Sequence, residues 1–121
     1  MLRTDTTSPE LLKVVRQLME LESLQNFRLV GGTALALQLG HRESIDIDLF
    51  SYNDFPDEKI CDELFQKFNL QERVRARGGI MINFRANGVK VDIIDDKKKF
   101  IRDVVEEDGI RMAHLEEIAA M

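Results

Sequence analysis

Apolar residues recur at helical spacing in two stretches of this chain and alternate with polar ones in several others. Leu11, Val14, Val15, Leu18 and Met19 fall three and four apart, which predicts an amphipathic helix over residues 9–22. Ser8-Pro9-Glu10 supplies its start: a hydroxyl cap, a proline where the amide needs no partner, and an acid in the first turn. Residues 56–68 repeat the pattern, with Ile60, Cys61, Leu64, Phe65 and Phe68 on the buried side. Residues 27–30 form a short apolar strand ending at Gly31-Gly32. Residues 33–39 are apolar nearly all round, which suits a short buried helix, and Gly40 ends it. Residues 44–50 alternate with period two, the mark of a half-buried strand.

Three more strands are predicted over residues 70–77, 80–86 and 89–95. Asn87-Gly88 between the last two is a strong hairpin signal, because a two-residue turn needs positive φ twice. That turn sets Ala86 opposite Val89, Phe84 opposite Val91, Asn83 opposite Asp92, and Ile82 opposite Ile93. Ile82, Phe84, Val91 and Ile93 then face the core, while Asn83, Arg85, Lys90 and Asp92 face away. Leu70, Val74 and Ala76 must also join the core, since a one-residue slip would bury arginines. A loop of Gly78-Gly79-Ile80 would pair Arg77 with Met81 and Arg75 with Asn83. Arg73, Arg75 and Arg77 would then share the face of Asp92. Beyond Lys97-Lys98-Lys99, residues 100–105 are expected as a strand and 106–109 as a turn. Residues 115–121 would begin a helix too short to stand alone. The sum is an α/β (α+β) fold, a mixed, mostly antiparallel sheet with helices packed on one face.

Composition narrows the picture. A chain of 121 residues is one domain, residues 1–121, and its 44% hydrophobic and 32% charged content is that of an ordinary soluble globular protein. No apolar run approaches the roughly 18 residues that span a bilayer. The first nine residues lack a signal-peptide core. A lone Cys61 fits a reducing, cytoplasmic setting. The formal net charge of −5 argues against non-specific duplex binding, although a local basic patch is compatible with it.

Three features carry candidate chemistry. Asp46 and Asp48 lie two apart on a strand, so both project from one face, roughly 7 Å apart along the backbone. Ile45, Ile47 and Leu49 hold the opposite face. Carboxylates this close repel unless a cation sits between them, and oxygen-only ligands suit Mg²⁺ or Mn²⁺. The plainer alternative is two solvated acids on an exposed strand. Gly31-Gly32-Thr33, at a strand-to-helix junction, gathers unpaired amides where a phosphate can approach without meeting a Cβ. It can equally be a tight turn with Thr33 as a cap, and it is not a Walker loop. Asp92 is an acid on an otherwise apolar strand, either a third ligand or an edge charge that deters aggregation.

Taken together, Val30-Gly31-Gly32-Thr33-Ala34-Leu35, then Gly40-His41-Arg42, Ser44, Asp46-Ile47-Asp48-Leu49-Phe50, and later Val91-Asp92, resemble the AbiEii/AbiGii toxin family. These are bacterial nucleotidyltransferases of the polymerase-β-like superfamily. The resemblance is close over residues 27–50 and general in layout over 70–121. It implies a minimal nucleotidyltransferase fold and an enzyme that moves a nucleoside monophosphate from a nucleoside triphosphate (NTP) to an RNA (tRNA) or protein hydroxyl. It also implies an antitoxin partner. Asp46, Asp48 and Asp92 would be catalytic and hold Mg²⁺ or Mn²⁺, and Gly31, Gly32 and Thr33 would hold phosphates. Arg42 would neutralise phosphate charge, or else be a surface arginine paired with Glu43. His41 reads as structural. The row Arg73, Arg75, Arg77 would contact triphosphate or RNA, or be a solvated face. Family members continue past the segment resembling residues 115–121 into helices bearing a lysine and a further aspartate, so the chain is expected to lack that C-terminal helical part. Two other readings follow from this: a non-catalytic module binding nucleotide or a protein, and a homo-oligomeric assembly module completed by another subunit.

Overall fold

The Ser8 hydroxyl accepts the Leu11 amide at 3.1 Å and opens helix α1 (Pro9–Met19). The computed structural model describes residues 8–30, 34, 37–38, 46–51, 55–95, 104–107 and 109–113. Leu11, Val14, Val15, Leu18 and Met19 form the buried stripe of α1, as the spacing predicts. The helix stops at Met19, short of the expected residue 22, and a single 3-10 turn follows at Glu22–Leu24. Tertiary bonds explain the break. The Met19 carbonyl accepts Gln25 Nε2 at 3.1 Å and Arg111 Nη1 at 3.5 Å, and the Leu21 carbonyl accepts Gln25 Nε2 at 2.9 Å.

Helix α2 (Asp57–Lys67) buries Ile60, Cys61 and Leu64. Asp57 and Glu58 lie in its first turn and Lys67 in its last, which complements the helix dipole. The two helices are tied together beyond the core. Glu63 accepts both the amide and hydroxyl of Ser23, and Lys67 reaches Glu20 at 2.6 Å. No described helix is long and apolar enough to cross a membrane.

The strands are β1 (Arg28–Val30), β2 (Asp46–Ser51), β3 (Met81–Ala86), β4 (Val89–Asp95), β5 (Val105–Glu107) and β6 (Ile110–Met112). They form one six-stranded sheet in the order β3-β4-β2-β1-β6-β5. The β1–β2, β3–β4 and β5–β6 pairs are antiparallel, and β2–β4 and β1–β6 are parallel, so the sheet is mixed and mostly antiparallel. Leu29, Ile47, Leu49, Ile82, Val91 and Ile93 are fully or almost fully buried and share one core with α1 and α2. Each such side chain contributes roughly 1.5–3 kcal/mol by leaving water. Ala34, Leu37 and Gln38 are helical, with Ala34 and Leu37 fully buried, in keeping with the short apolar helix expected there.

The β3–β4 hairpin has the register that Asn87-Gly88 predicts, down to Asn83 opposite Asp92. Asn87 (φ 52°) and Gly88 (φ 81°) both take the left-handed conformation. The chain before β3 corrects an expectation. Residues 70–77 make no strand beyond a single bridge, Arg77 to Met81, the pair foreseen for the glycine loop. Helix α2 competes for this segment. Arg73 pairs with Asp62 and stacks its guanidinium 5.2 Å from the Phe65 ring centre. The C-terminal region corrects another. Glu106 lies within β5 rather than a turn, and β6 was not foreseen. Strand β6 is three residues long, too short to show an alternation, and its place is set by Met112 pairing with Leu29. The expected helix over 115–121 and the expected strand's first residues, 100–103, lie outside the described residues.

Candidate functional site

Strand β2 alternates between half-buried and buried positions, Asp46, Asp48 and Phe50 against Ile47, Leu49 and Ser51. Its apolar residues face the core, so the two aspartates are fixed on the opposite side. Strand β4 does the same, with Val89, Val91 and Ile93 buried and Lys90 and Asp92 turned outward. Because β2 and β4 are parallel neighbours in register, Asp46 pairs with Lys90 and Asp48 with Asp92. Adding β3 and β1 completes two rows across the sheet. One runs Arg85, Lys90, Asp46, and the next Asn83, Asp92, Asp48, Val30. Partners in a ladder share a face. The three candidate aspartates therefore come from two strands onto one surface.

The electrostatics follow from this placement. Burial first, then the charges of Asp92 and Asp46, push the Asp48 carboxyl above its ordinary value, while Lys90 pulls it back. Lys90 Nζ stands 3.8 Å from Asp92 Oδ2, and the Asp92 side chain is only 19% exposed. Asp92 Oδ1 is buried and has no hydrogen-bond partner among the described residues. An orphaned carboxylate oxygen on a face shared with two more acids is the oxygen chemistry that could hold a hard divalent cation. As the side chains stand, no three His, Cys, Asp or Glu residues among those described are gathered closely enough to enclose an ion.

Gly31, Gly32, Thr33, His41 and Arg42 lie outside the described residues. The sequence places Gly31 directly after Val30, and Val30 pairs with Asp48. The expected row of Arg73, Arg75 and Arg77 over Asp92 is not formed. Arg73 is committed to Asp62 and Phe65 of α2, and Arg73 and Arg75 line a separate cleft of about 470 Å³ with Cys61 and Asp62. Lys90 was placed on the right face by its alternation. Its proximity to Asp46 needed the parallel β2–β4 pairing, which nothing local signals.

The sequence matches the family of nucleotidyl transferase AbiEii toxins of type IV toxin–antitoxin systems over residues 13–121. No curated protein matches it. Among solved structures the fold is similar to TM1012 of Thermotoga maritima, a candidate nucleotidyltransferase, with a TM-score of 0.63 and 21% identity over 94% of this chain and 83% of that one. It is similar to JHP933 of Helicobacter pylori, with a TM-score of 0.58 and 18% identity over 88% of this chain and 50% of that one. A candidate nucleotidyltransferase of H. pylori gives 0.53 and 18% over 88% and 52%. The chain spans about half the length of each H. pylori protein. At these identities the likeness is one of fold.

Proposed function

The chain belongs to the AbiEii nucleotidyltransferase toxin family, and we propose that it moves a nucleoside monophosphate from an NTP to a hydroxyl of RNA (tRNA) or protein. In this reading it is the toxin of a toxin–antitoxin pair and works in the cytoplasm. The observation that supports it most is the pairing of Asp48 with Asp92, with Asp46 one row away.

Asp46, Asp48 and Asp92 are the residues that would hold Mg²⁺ or Mn²⁺, whose charge when bound offsets that of the triphosphate and the departing pyrophosphate. Gly31, Gly32 and Thr33 would seat the β- and γ-phosphates through backbone amides, next to Asp48 by way of Val30. Arg42 would add positive charge to that anion site. The acceptor oxygen attacks the α-phosphorus, a new P–O bond forms, and the bond to the β-phosphate oxygen breaks. Asp92 would be the base for the hydroxyl proton.

The test is incubation with each α-labelled NTP, Mg²⁺ or Mn²⁺, and total tRNA or protein extract. The wild type should label an acceptor with at least one nucleotide, and Asp46→Ala/Asp48→Ala should not. A folded wild type that binds nucleotide yet labels nothing would make the chain a binding module instead.

A further inference from the structure

The outward face of β2, β3 and β4 holds a lysine whose position the transfer reaction does not use. Lys90 has Asp46 beside it on β2 and Arg85 beside it on β3. The arginine repels the ammonium and the aspartate attracts it, so the cross-strand field drives Nζ toward the acids. It is 3.8 Å from Asp92 Oδ2 and acts on Asp48 as well. Lys90 thus faces each of the three carboxylates proposed above as cation ligands. Its side chain is 48% exposed, so the ammonium can swing into water without entering a dry interior.

Resting on the acid-cluster reading, we propose that Lys90 is a built-in counter-ion that occupies the acid cluster before a divalent cation does and is displaced when one binds. With the lysine half exposed and its Nζ at 3.8 Å, the pair is solvent-screened and weak. It relieves part of the repulsion among Asp46, Asp48 and Asp92 without locking them. A divalent cation carries twice the charge and can contact several oxygens at once, so it wins the competition, at an affinity reduced by the lysine it must displace. Lys90 is a positioning residue that sets the cation concentration at which the site fills.

The test is titration with Mn²⁺, read by loss of the free-ion electron paramagnetic resonance signal, on the full chain with no nucleotide present. Lys90→Met keeps the apolar stem and removes the charge; it should bind Mn²⁺ about two- to fivefold more tightly, the range spanned by release of a solvent-screened ion pair. Lys90→Arg should stay near wild type, which a purely packing effect of the substitution would not produce. Asp48→Asn should weaken binding. Lys90→Met affinity equal to or below that of wild type, with Asp48→Asn still weakening it, would overturn the counter-ion role and leave the acid cluster standing. No Mn²⁺ binding by folded wild type or Lys90→Met would overturn both.

Discussion

Asp48 on β2 and Asp92 on β4 stand directly opposite one another across a parallel strand pair. Neighbouring strands run about 4.8 Å apart, so the two carboxylates are held on one face by backbone pairing. The residues that fix them are apolar: Ile47 and Leu49 on one strand, Val91 and Ile93 on the other, all at or near zero exposure. The core therefore enforces a repulsion that neither strand would adopt for its own stability. Strain of this kind is expected where a ligand relieves it.

Asp48→Asn should stabilise the metal-free protein and abolish transfer. The Asp48 carboxyl is pushed up by burial, Asp92 and Asp46, so its ionised form is the disfavoured one in the folded state. The penalty is complete above the raised value and lifts as pH falls through it toward the ordinary carboxylate range. In chelator, the melting temperature of Asp48→Asn should exceed that of wild type at pH 7, by an amount worth about 1 kcal/mol or less. The gap should close on acidification. A gap that is absent, or constant with pH, would contradict this.

Arg111→Met should destabilise the fold by about 2 kcal/mol in urea denaturation. The Arg111 guanidinium donates to the Leu24 carbonyl at 3.0 Å and the Phe27 carbonyl at 3.4 Å, joining β6 to the turn after α1. The guanidinium is partly withdrawn from water, and this burial lowers its pKa. Arg111→Lys should recover little, because an ammonium cannot reproduce the planar fork. Lysine restoring full stability would show that charge alone is needed.

Cys61 should react slowly with a disulfide reagent. Burial raises its thiol pKa, and Asp57 and Asp62 raise it further, against smaller opposing effects of the Ala76 amide and Arg73. The reactive thiolate is therefore scarce as well as hidden. Modification of the native protein at pH 8 should be on the order of tenfold slower than in denaturant, where the ordinary thiol reactivity returns. Equal rates would place the thiol in solvent.

What the sequence revealed about this fold depended on how local each determinant is. The β3–β4 register was legible because two residues, Asn87 and Gly88, dictate a turn and the turn dictates every pair after it. The orientation of Asp46 and Asp48 was legible because Ile47 and Leu49 between them must be buried. The end of α1 was not, since the groups that take its last carbonyls come from Gln25 and from Arg111 on the far strand. Residues 73–76 alternate like a strand, but Asp62 and Phe65 on α2 offer Arg73 other partners. At the site, the common face of Asp46 and Asp48 and the outward position of Asp92 could be read from alternation. The adjacency of Lys90 to Asp46 could not, because it arises only when two strands distant in the chain pair in parallel.

The most direct measurement is anomalous X-ray scattering from a crystal grown with Mn²⁺ and a non-hydrolysable NTP. A manganese peak bonded to carboxylate oxygens from both β2 and β4, with the phosphates lying toward Val30, is the predicted result. An ordered site with Asp48 and Asp92 facing each other and no manganese between the strands would contradict it.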